Sequence, residues 1–366
     1  MSMKLSVISF TQAGMELSGK VAAKIKESEK MEIALYTSRQ NYAAQKGGKA
    51  AIQVVETSVG EWAKAQMEEK NALLFIGACG IAVRAVAPHL TDKLHDVPVL
   101  VMDEKGRYVI PILSGHMGGA NKLAVFLAEK SGAEPVVTTA TDLNRKFAVD
   151  LFAKRNGLFI GNKEGIAKVS AKALAGEKIT MSIEAGRLED NAFVPREICL
   201  TAYPSKEAVD VAVTSKKGSV DAALTLIPKR YAIGLGCKKG KSEKEIDHFI
   251  TEKLEELDIA EEEIFALASV SLKKEEEGIL AWCRKTDVPF LTYTAAELME
   301  AEGDFTASSF VQQQAGVDNV CERAAVRACG KDGKLIAGKH AKDGMTIAVA
   351  KREWYVKFEA GESVSR

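Results

Sequence analysis

The sequence predicts a multidomain α/β protein, with open, mainly parallel α/β/α domains at both ends and a small α/β segment between them. Three observations carry this expectation. Short apolar runs bounded by glycine turns alternate with amphipathic stretches of helical period at both ends of the chain. The run Ala72 to Ile76 is apolar throughout, as strands covered on both faces of a parallel sheet are. At 366 residues the chain is also longer than one ordinary core needs, so two or three domains are expected. The expected segments are 1–142, 143–228 and 229–358, followed by a polar tail, 359–366.

In chain order, Leu5 to Phe10 reads as a strand, Met15 to Lys26 as a helix and Ile33 to Tyr36 as a second strand. Asn41 to Lys49 is a polar, glycine-containing loop, and the helix Trp62 to Lys70 leads into the strand Ala72 to Ile76. That strand ends in a glycine corner, GACGIAVR (Gly77 to Arg84), with Gly77, Cys79 and Gly80 in the turn. Cys79 reads as a small packed residue rather than a nucleophile. Arg84, one turn into the following helix, reads either as a surface ion pair or as a guanidinium suited to a carboxylate or phosphate. Val97 to Met102 and Tyr108 to Leu113 are the next strands, joined by the turn Asp103-Glu-Lys-Gly.

The second corner is SGHMGGAN, Ser114 to Asn121, followed by a helix over Lys122 to Lys130. Backbone N–H groups at such a helix start can face a ligand, and Gly115, Gly118 and Gly119 permit close approach and positive φ. His116 lies inside the turn, flanked by Ser114 and Asn121, and can move a proton near neutral pH. The plainer reading is a tight βα turn with a solvated histidine. A third strand, Glu134 to Thr139, runs into TTATD, so Thr138 and Thr139 close the strand and Asp142 reads as a helix N-cap. Ligands of open α/β sheets bind at strand carboxyl ends, so the three corners together mark the candidate site.

The middle segment holds helical stretches, Phe147 to Asn156 and Lys163 to Leu174, and strands at Lys178 to Glu184, Ile198 to Ala202 and Ala222 to Ile227. It shows no catalytic constellation. A new start follows Pro228: the strand Tyr231 to Leu235 opens into GLGCKKGKS, Gly234 to Ser242, and a charged helix to Leu257. The glycines Gly234, Gly236 and Gly240 are spaced GxGxxxG, one residue longer than the dinucleotide fingerprint, and the next strand, Ile264 to Leu272, ends without an acidic residue for a ribose. A phosphate-loop pattern is absent too. Cys237 sits in this turn, and Lys238, Lys239 and Lys241 either favour an anionic ligand or form a solvated basic loop. The rest alternates: helices at Glu275 to Lys285, Ala295 to Ala301, Ala307 to Gly316 and Val320 to Cys329, and strands at Pro289 to Tyr293, Lys334 to Ala337 and Met345 to Ala350. Glu322 reads as a solvated charge.

Composition excludes several classes. Lys+Arg and Asp+Glu number 50 each, which argues against general nucleic-acid binding. No apolar run approaches a membrane span, and the start MSMKLSVISF has no leader pattern. Six cysteines without CxxC spacing point to the cytoplasm, and five histidines without HExxH or HxxxH spacing argue against a protein-bound metal.

The chain is similar to the CbiG family, the cobalt-precorrin-5A hydrolases of anaerobic cobalamin synthesis. The similarity rests on FIGACGIAVR (Phe75 to Arg84), PILSGHMGGAN (Pro111 to Asn121), PVVTTATD (Pro135 to Asp142) and AIGLGCKKGKS (Ala232 to Ser242). VCERAAVRACG (Val320 to Gly330) and KLIAGKH (Lys334 to His340) resemble the C-terminal module shared with the CobE proteins. The resemblance implies that water opens the δ-lactone of a ring-contracted corrinoid and that a two-carbon unit leaves as acetaldehyde. The cobalt belongs to the substrate, and no organic cofactor is required. Applied to these residues, the chemistry suggests His116 as base, with Asp142 or Glu322 as alternative proton carriers. N–H groups near Gly118 and Gly119 would hold the oxyanion, while Arg84 and the lysines at 238, 239 and 241 would hold peripheral carboxylates. The partner expected is a cobalt corrinoid, with no nucleic acid or membrane; transient contacts with other corrin-pathway enzymes and a homodimer are compatible with this. A non-catalytic corrinoid carrier is the competing reading, and a nucleotide-dependent enzyme the third.

Overall fold

In the computed structural model the described residues are 4–26, 31–39, 52–92, 96–115, 118–139, 146–190, 192–308, 312–313 and 315–358. The chain forms two compact units, Met1–Leu151 and Phe152–Ala360.

The first unit is built on a seven-stranded sheet. Its strands are β1 (Lys4–Ser9), β2 (Glu32–Thr37), β3 (Ile52–Val54), β4 (Ala72–Ile76), β5 (Val99–Met102), β6 (Tyr108–Leu113) and β7 (Glu134–Pro135), in the order β3-β2-β1-β4-β5-β6-β7. Side chains alternate between two cores. Leu5, Val7, Leu74, Ile76 and Leu100 pack against α1 (Gln12–Lys26) and the helix Ala120–Ser131. Ile8, Leu73, Phe75, Val99 and Val101 pack against α2 (Val59–Glu68), through Trp62, and α3 (Cys79–Val86), through Ala82 and Val86. The helix Ala120–Ser131 is α4 below. β1 to β5 run parallel, and β6 reverses. The reversal follows from the turn at Asp103, whose carboxylate accepts N–H bonds from Lys105, Arg107 and Tyr108 at 3.0, 2.8 and 2.8 Å. A connection this short joins only antiparallel strands.

Two five-stranded sheets share the second unit. The first has the order β10-β9-β11-β12-β8, from β8 (Leu158–Ile160), β9 (Ile179–Ile183), β10 (Ile198–Thr201), β11 (Val209–Val213) and β12 (Ala222–Pro228). Here β8 alone is antiparallel to its neighbour. The helices α5 (Val149–Arg155) and α6 (Lys163–Leu174) belong to this stretch of chain. Gly165 lets α6 lie on β12, since a Cβ there would strike the Ala223 carbonyl.

The other sheet has the order β15-β14-β13-β17-β16, from β13 (Tyr231–Cys237), β14 (Ile264–Val270), β15 (Phe290–Tyr293), β16 (Lys334–Lys342) and β17 (Met345–Lys351). A parallel half, β15-β14-β13, meets an antiparallel hairpin, β17-β16. Its helices are α7 (Glu243–Glu256), α8 (Glu277–Thr286), α9 (Ala295–Met299) and α10 (Cys321–Cys329). Gly234 is where α10 crosses β13: any Cβ would collide with the Cys321 carbonyl.

Beyond β17 the chain crosses to the first of these two sheets. Arg187 pairs with Glu353 at 2.6 Å and lies over Trp354, Leu188 bridges Val356, and Phe358 stacks on Phe152 at 4.8 Å between ring centroids.

The α/β class and the run of elements follow the sequence expectation, with differences that have physical causes. β3, β8 and β11 were not expected. The helix expected from Ala307 does not begin there: Thr306 N–H donates to Glu322 at 2.7 Å and Ser308 N–H to the Asp318 carbonyl at 2.9 Å, which holds the chain extended.

Candidate functional site

The reversal of β6 separates the glycine corners. Ile76 pairs with Met102 at one end of β5, whereas Leu113 pairs with Val99 at the other. GACG and SGHMGG therefore sit at opposite ends of the sheet, roughly 15 Å apart along the strands at about 3.3 Å per residue. The expectation that three corners converge is corrected accordingly. Thr138 and Thr139 stay with the second corner, because β7 runs parallel to β6.

That second corner is a tightly wound turn. Ser114 adopts positive φ, 54°, and its hydroxyl donates to the Asp96 carbonyl at 2.6 Å. Its own carbonyl accepts the N–H of Ala120 at 3.1 Å, and the Gly115 carbonyl accepts that of Asn121 at 3.1 Å. Only glycine fits at 118, where a Cβ would lie 2.5 Å from the Ser114 Cβ. Gly119 starts α4 at φ 87° with no side-chain cap. The N–H groups of Gly118 and Gly119 make no hydrogen bond among the described residues. Asn121 is buried and donates to the Thr139 hydroxyl at 3.0 Å, while Thr138 is exposed. The structure thus brings Ser114, Gly115, Gly118, Gly119, Asn121 and Thr139 together. His116 and Asp142 lie outside the described residues.

At the first corner, Gly77 continues the ladder by donating to the Met102 carbonyl at 2.9 Å, and a Cβ there would meet the Phe10 ring at 2.9 Å. Cys79 is exposed at the start of α3. Arg84 folds back onto the Gly80 carbonyl at 3.2 Å and forms no ion pair among the described residues, so the surface salt-bridge reading finds no partner there.

In the second unit, a cavity of about 990 Å³ opens beside the turn after β13. It is lined by Gly236, Cys237, Lys238 and Lys239 together with Val270, Leu272, Cys321, Lys339 and Thr346. Lys238, Lys239 and Lys339 make no ion pair among the described residues, whereas Lys273 pairs with Glu276 and Lys342 with Glu252. Val270, Leu272, Ala315 and Val320 give the lining an apolar patch, the carboxylates of Glu275, Glu276 and Asp343 also line it, and Leu272 is 69% exposed. Burial pushes the Cys321 thiol up to about 11 and raises that of Cys237 as well, so both are neutral wall groups near pH 7. Two expected residues lie elsewhere. Gly234 is covered by α10, and Lys241 pairs with Glu245 at 2.7 Å beside an adjoining cavity of about 450 Å³ that shares Lys342, Asp343 and Met345 with the larger one.

This glycine turn is not a phosphate loop. Gly240 N–H donates to the Glu276 carboxylate at 3.2 Å, and the start of α7 is closed by the reciprocal Ser242–Glu245 capping box. The N–H groups of Gly240 and Ser242, which a nucleotide phosphate would need, already face carboxylates. Among the described residues no group of three or more His, Cys, Asp or Glu side chains is placed to hold a metal ion, and no helix is long and apolar enough to cross a membrane.

Comparison with known proteins bears on both units. The description Cobalamin synthesis G N-terminal matches residues 61–142, and Cobalamin synthesis G C-terminus matches residues 231–350. The cobalt-precorrin-5A hydrolase of Salmonella typhimurium is 33% identical over 289 residues, spanning 76% of this chain and 81% of that protein. The chain belongs to the CbiG family. The cobalt-precorrin-5A hydrolase of Priestia megaterium is 31% identical over 359 residues, 94% of each chain. Protein CobE of a Sinorhizobium species is 30% identical over 135 residues, 36% of this chain and 87% of that one. The two family matches take in both glycine corners of the first unit and the cavity residues of the second.

Glu322, in the C-terminal CbiG match, is not a solvated charge. It is 1% exposed, and its carboxylate accepts from Thr306 N–H, the Thr306 hydroxyl, the Asn319 amide and Lys339 N–H at 2.7, 3.2, 2.6 and 2.6 Å. It does not line the cavity but stands behind Asn319, Cys321 and Lys339, which do. Lys339 is among the cavity residues absent from the sequence expectation, with Asn319, Cys321 and Thr346. Its signal was Gly338, a lone glycine prolonging a strand-like run, which marks a bulge.

Proposed function

We propose that the chain is a cobalt-precorrin-5A hydrolase. Water adds to the acyl carbon of the δ-lactone, the ring oxygen leaves as an alkoxide and is protonated, and an acetate side chain is freed. Deprotonation of the resulting alcohol breaks the adjacent C–C bond. The electron pair passes to the conjugated macrocycle, and acetaldehyde departs to leave cobalt-precorrin-5B.

The observation that carries this reading beyond family membership is the lining of the larger cavity in the second unit. The apolar patch of Val270, Leu272, Ala315 and Val320 suits a macrocycle, and three lysines that make no ion pair among the described residues suit its peripheral carboxylates. Arg84 is a further candidate for a carboxylate. The turn Ser114 to Asn121 supplies the chemistry in this proposal: His116 is the base for water, and the N–H groups of Gly118 and Gly119 receive the developing oxyanion. Asp142 remains an alternative proton carrier. Glu322 is better suited to positioning, given its four donors. Cobalt enters and leaves with the corrinoid, no organic cofactor takes part, and the cytoplasm is the proposed site of action.

Anaerobic incubation with cobalt-precorrin-5A, with acetaldehyde trapped against a protein-free control, tests this. Protein-dependent release over many turnovers is expected. Corrinoid binding with no acetaldehyde above control would instead establish the carrier.

A further inference from the structure

We infer that Lys339 is a specificity-determining contact for a substrate carboxylate and that the buried Glu322 is its positioning residue. The inference rests on the corrinoid reading of the cavity given above.

Three observations lead there. First, Lys339 sits in a β-bulge. Ala337 pairs with Val349 and His340 with Ile347, so three steps along β16 match two along β17. The extra residue breaks the ladder and re-aims a side chain, a device often found beside active sites. Second, the N–H that leaves the ladder is not lost to water: Lys339 donates it to Glu322 at 2.6 Å. The neighbouring Gly338 makes room, since a Cβ there would stand 3.2 Å from the same carboxylate oxygen. Third, Lys339 lines the cavity with no carboxylate partner among the described residues. Its charge is felt at the Cys321 thiol on the same wall.

Glu322 is an unusual group for a protein interior. A buried carboxylate without a cation is retained only where several donors satisfy it. Its donors come from the loop at Thr306, from Asn319 ahead of α10, and from the bulge. One side chain therefore joins three pieces of the cavity's surroundings, and the bulge is the piece that carries a cation. Lys238 and Lys239 leave an exposed turn, whereas Lys339 is half-buried on a strand held from behind. A cation fixed in this way can distinguish carboxylate positions, which exposed lysines do poorly.

The test is absorbance titration of cobalt-precorrin-5A into the full chain and its Lys339→Met, Lys339→Arg, Glu322→Gln and Glu322→Gln/Lys339→Met variants, with acetaldehyde release measured in parallel. Lys339→Met should weaken binding about ten- to a hundredfold, the range for a charged hydrogen bond. Its kcat should stay within about threefold. Lys339→Arg should restore most of the affinity. Glu322→Gln should weaken binding too, and in the Lys339→Met background it should add less than about twofold, because its effect passes through the lysine. Should Glu322→Gln fail to fold, Gly338→Ala probes the same bulge. Equal affinity for wild type and Lys339→Met would overturn the inference while leaving the hydrolase intact. Full additivity of the double variant would overturn the positioning role of Glu322. A wild-type protein that neither binds the corrinoid nor releases acetaldehyde would overturn the functional reading and this inference with it.

Discussion

The turn Ser114 to Asn121 and the cavity beside β13 are both glycine-rich, yet they are built on opposite plans. At the turn, glycine shapes the backbone: Gly118 fits where a Cβ would strike Ser114, Gly119 starts α4 at positive φ, and their N–H groups make no hydrogen bond among the described residues. At the cavity, glycines such as Gly234 serve packing, Gly240 N–H is taken by Glu276, and the lining is supplied by lysine, cysteine and apolar side chains. Glycine spacing alone does not distinguish a turn that offers its backbone from one that has already used it. Under the proposed function the two places divide the labour, with chemistry at the first and substrate affinity at the second.

The largest expected effect is at the first place. His116→Ala should lower kcat about a hundredfold or more, as loss of a general base does, and move KM little. Near-normal turnover would remove His116 from the mechanism. At the second place the balance should invert. Lys238→Met and Lys239→Met should each raise KM about three- to tenfold with kcat kept, below the Lys339 effect because these lysines are exposed. A fall in kcat instead would break the division.

Stability should respond at the turn. Gly118→Ala overpacks the turn and should cost about 1–3 kcal/mol, read as a lower urea midpoint. The corresponding change at Gly119, where nothing lies within 4 Å of a Cβ, strains only φ and should cost less, about 1 kcal/mol.

The smallest effect is chemical. Burial raises the Cys321 thiol to about 11, so its thiolate is scarce at pH 7 and its alkylation should climb roughly tenfold per pH unit toward pH 11. Exposed Cys79 and Cys199 should react first at neutral pH, and bound corrinoid should protect Cys237 but not Cys79. Protection of Cys79 instead would move the binding site.

Much of the fold was legible because apolar runs such as Ala72 to Ile76 and amphipathic ones such as Glu243 to Glu256 carry their own period. β3 and β8, at three residues each, are too short to show one. β11 carries Asp210 in mid-strand, tolerated because Lys172 and Thr180 hold its carboxylate at 2.8 and 2.7 Å across some 30 residues. The reversal of β6 was within reach, since the turn at Asp103 is too short for a parallel crossover. Treating every strand end alike hid it, and with it the separation of the two corners. The cavity was only half legible. Lys238 and Lys239 are local in sequence, whereas the Glu322–Lys339 bond depends on a bulge and a helix start brought together by tertiary packing.

The division of labour is tested most directly by titrating cobalt-precorrin-5A into the His116→Ala variant and following the corrinoid absorbance. The account predicts affinity within about threefold of wild type in a protein whose acetaldehyde release has fallen at least about a hundredfold. Loss of affinity in step with turnover would contradict it, and would make the turn a binding element like the cavity.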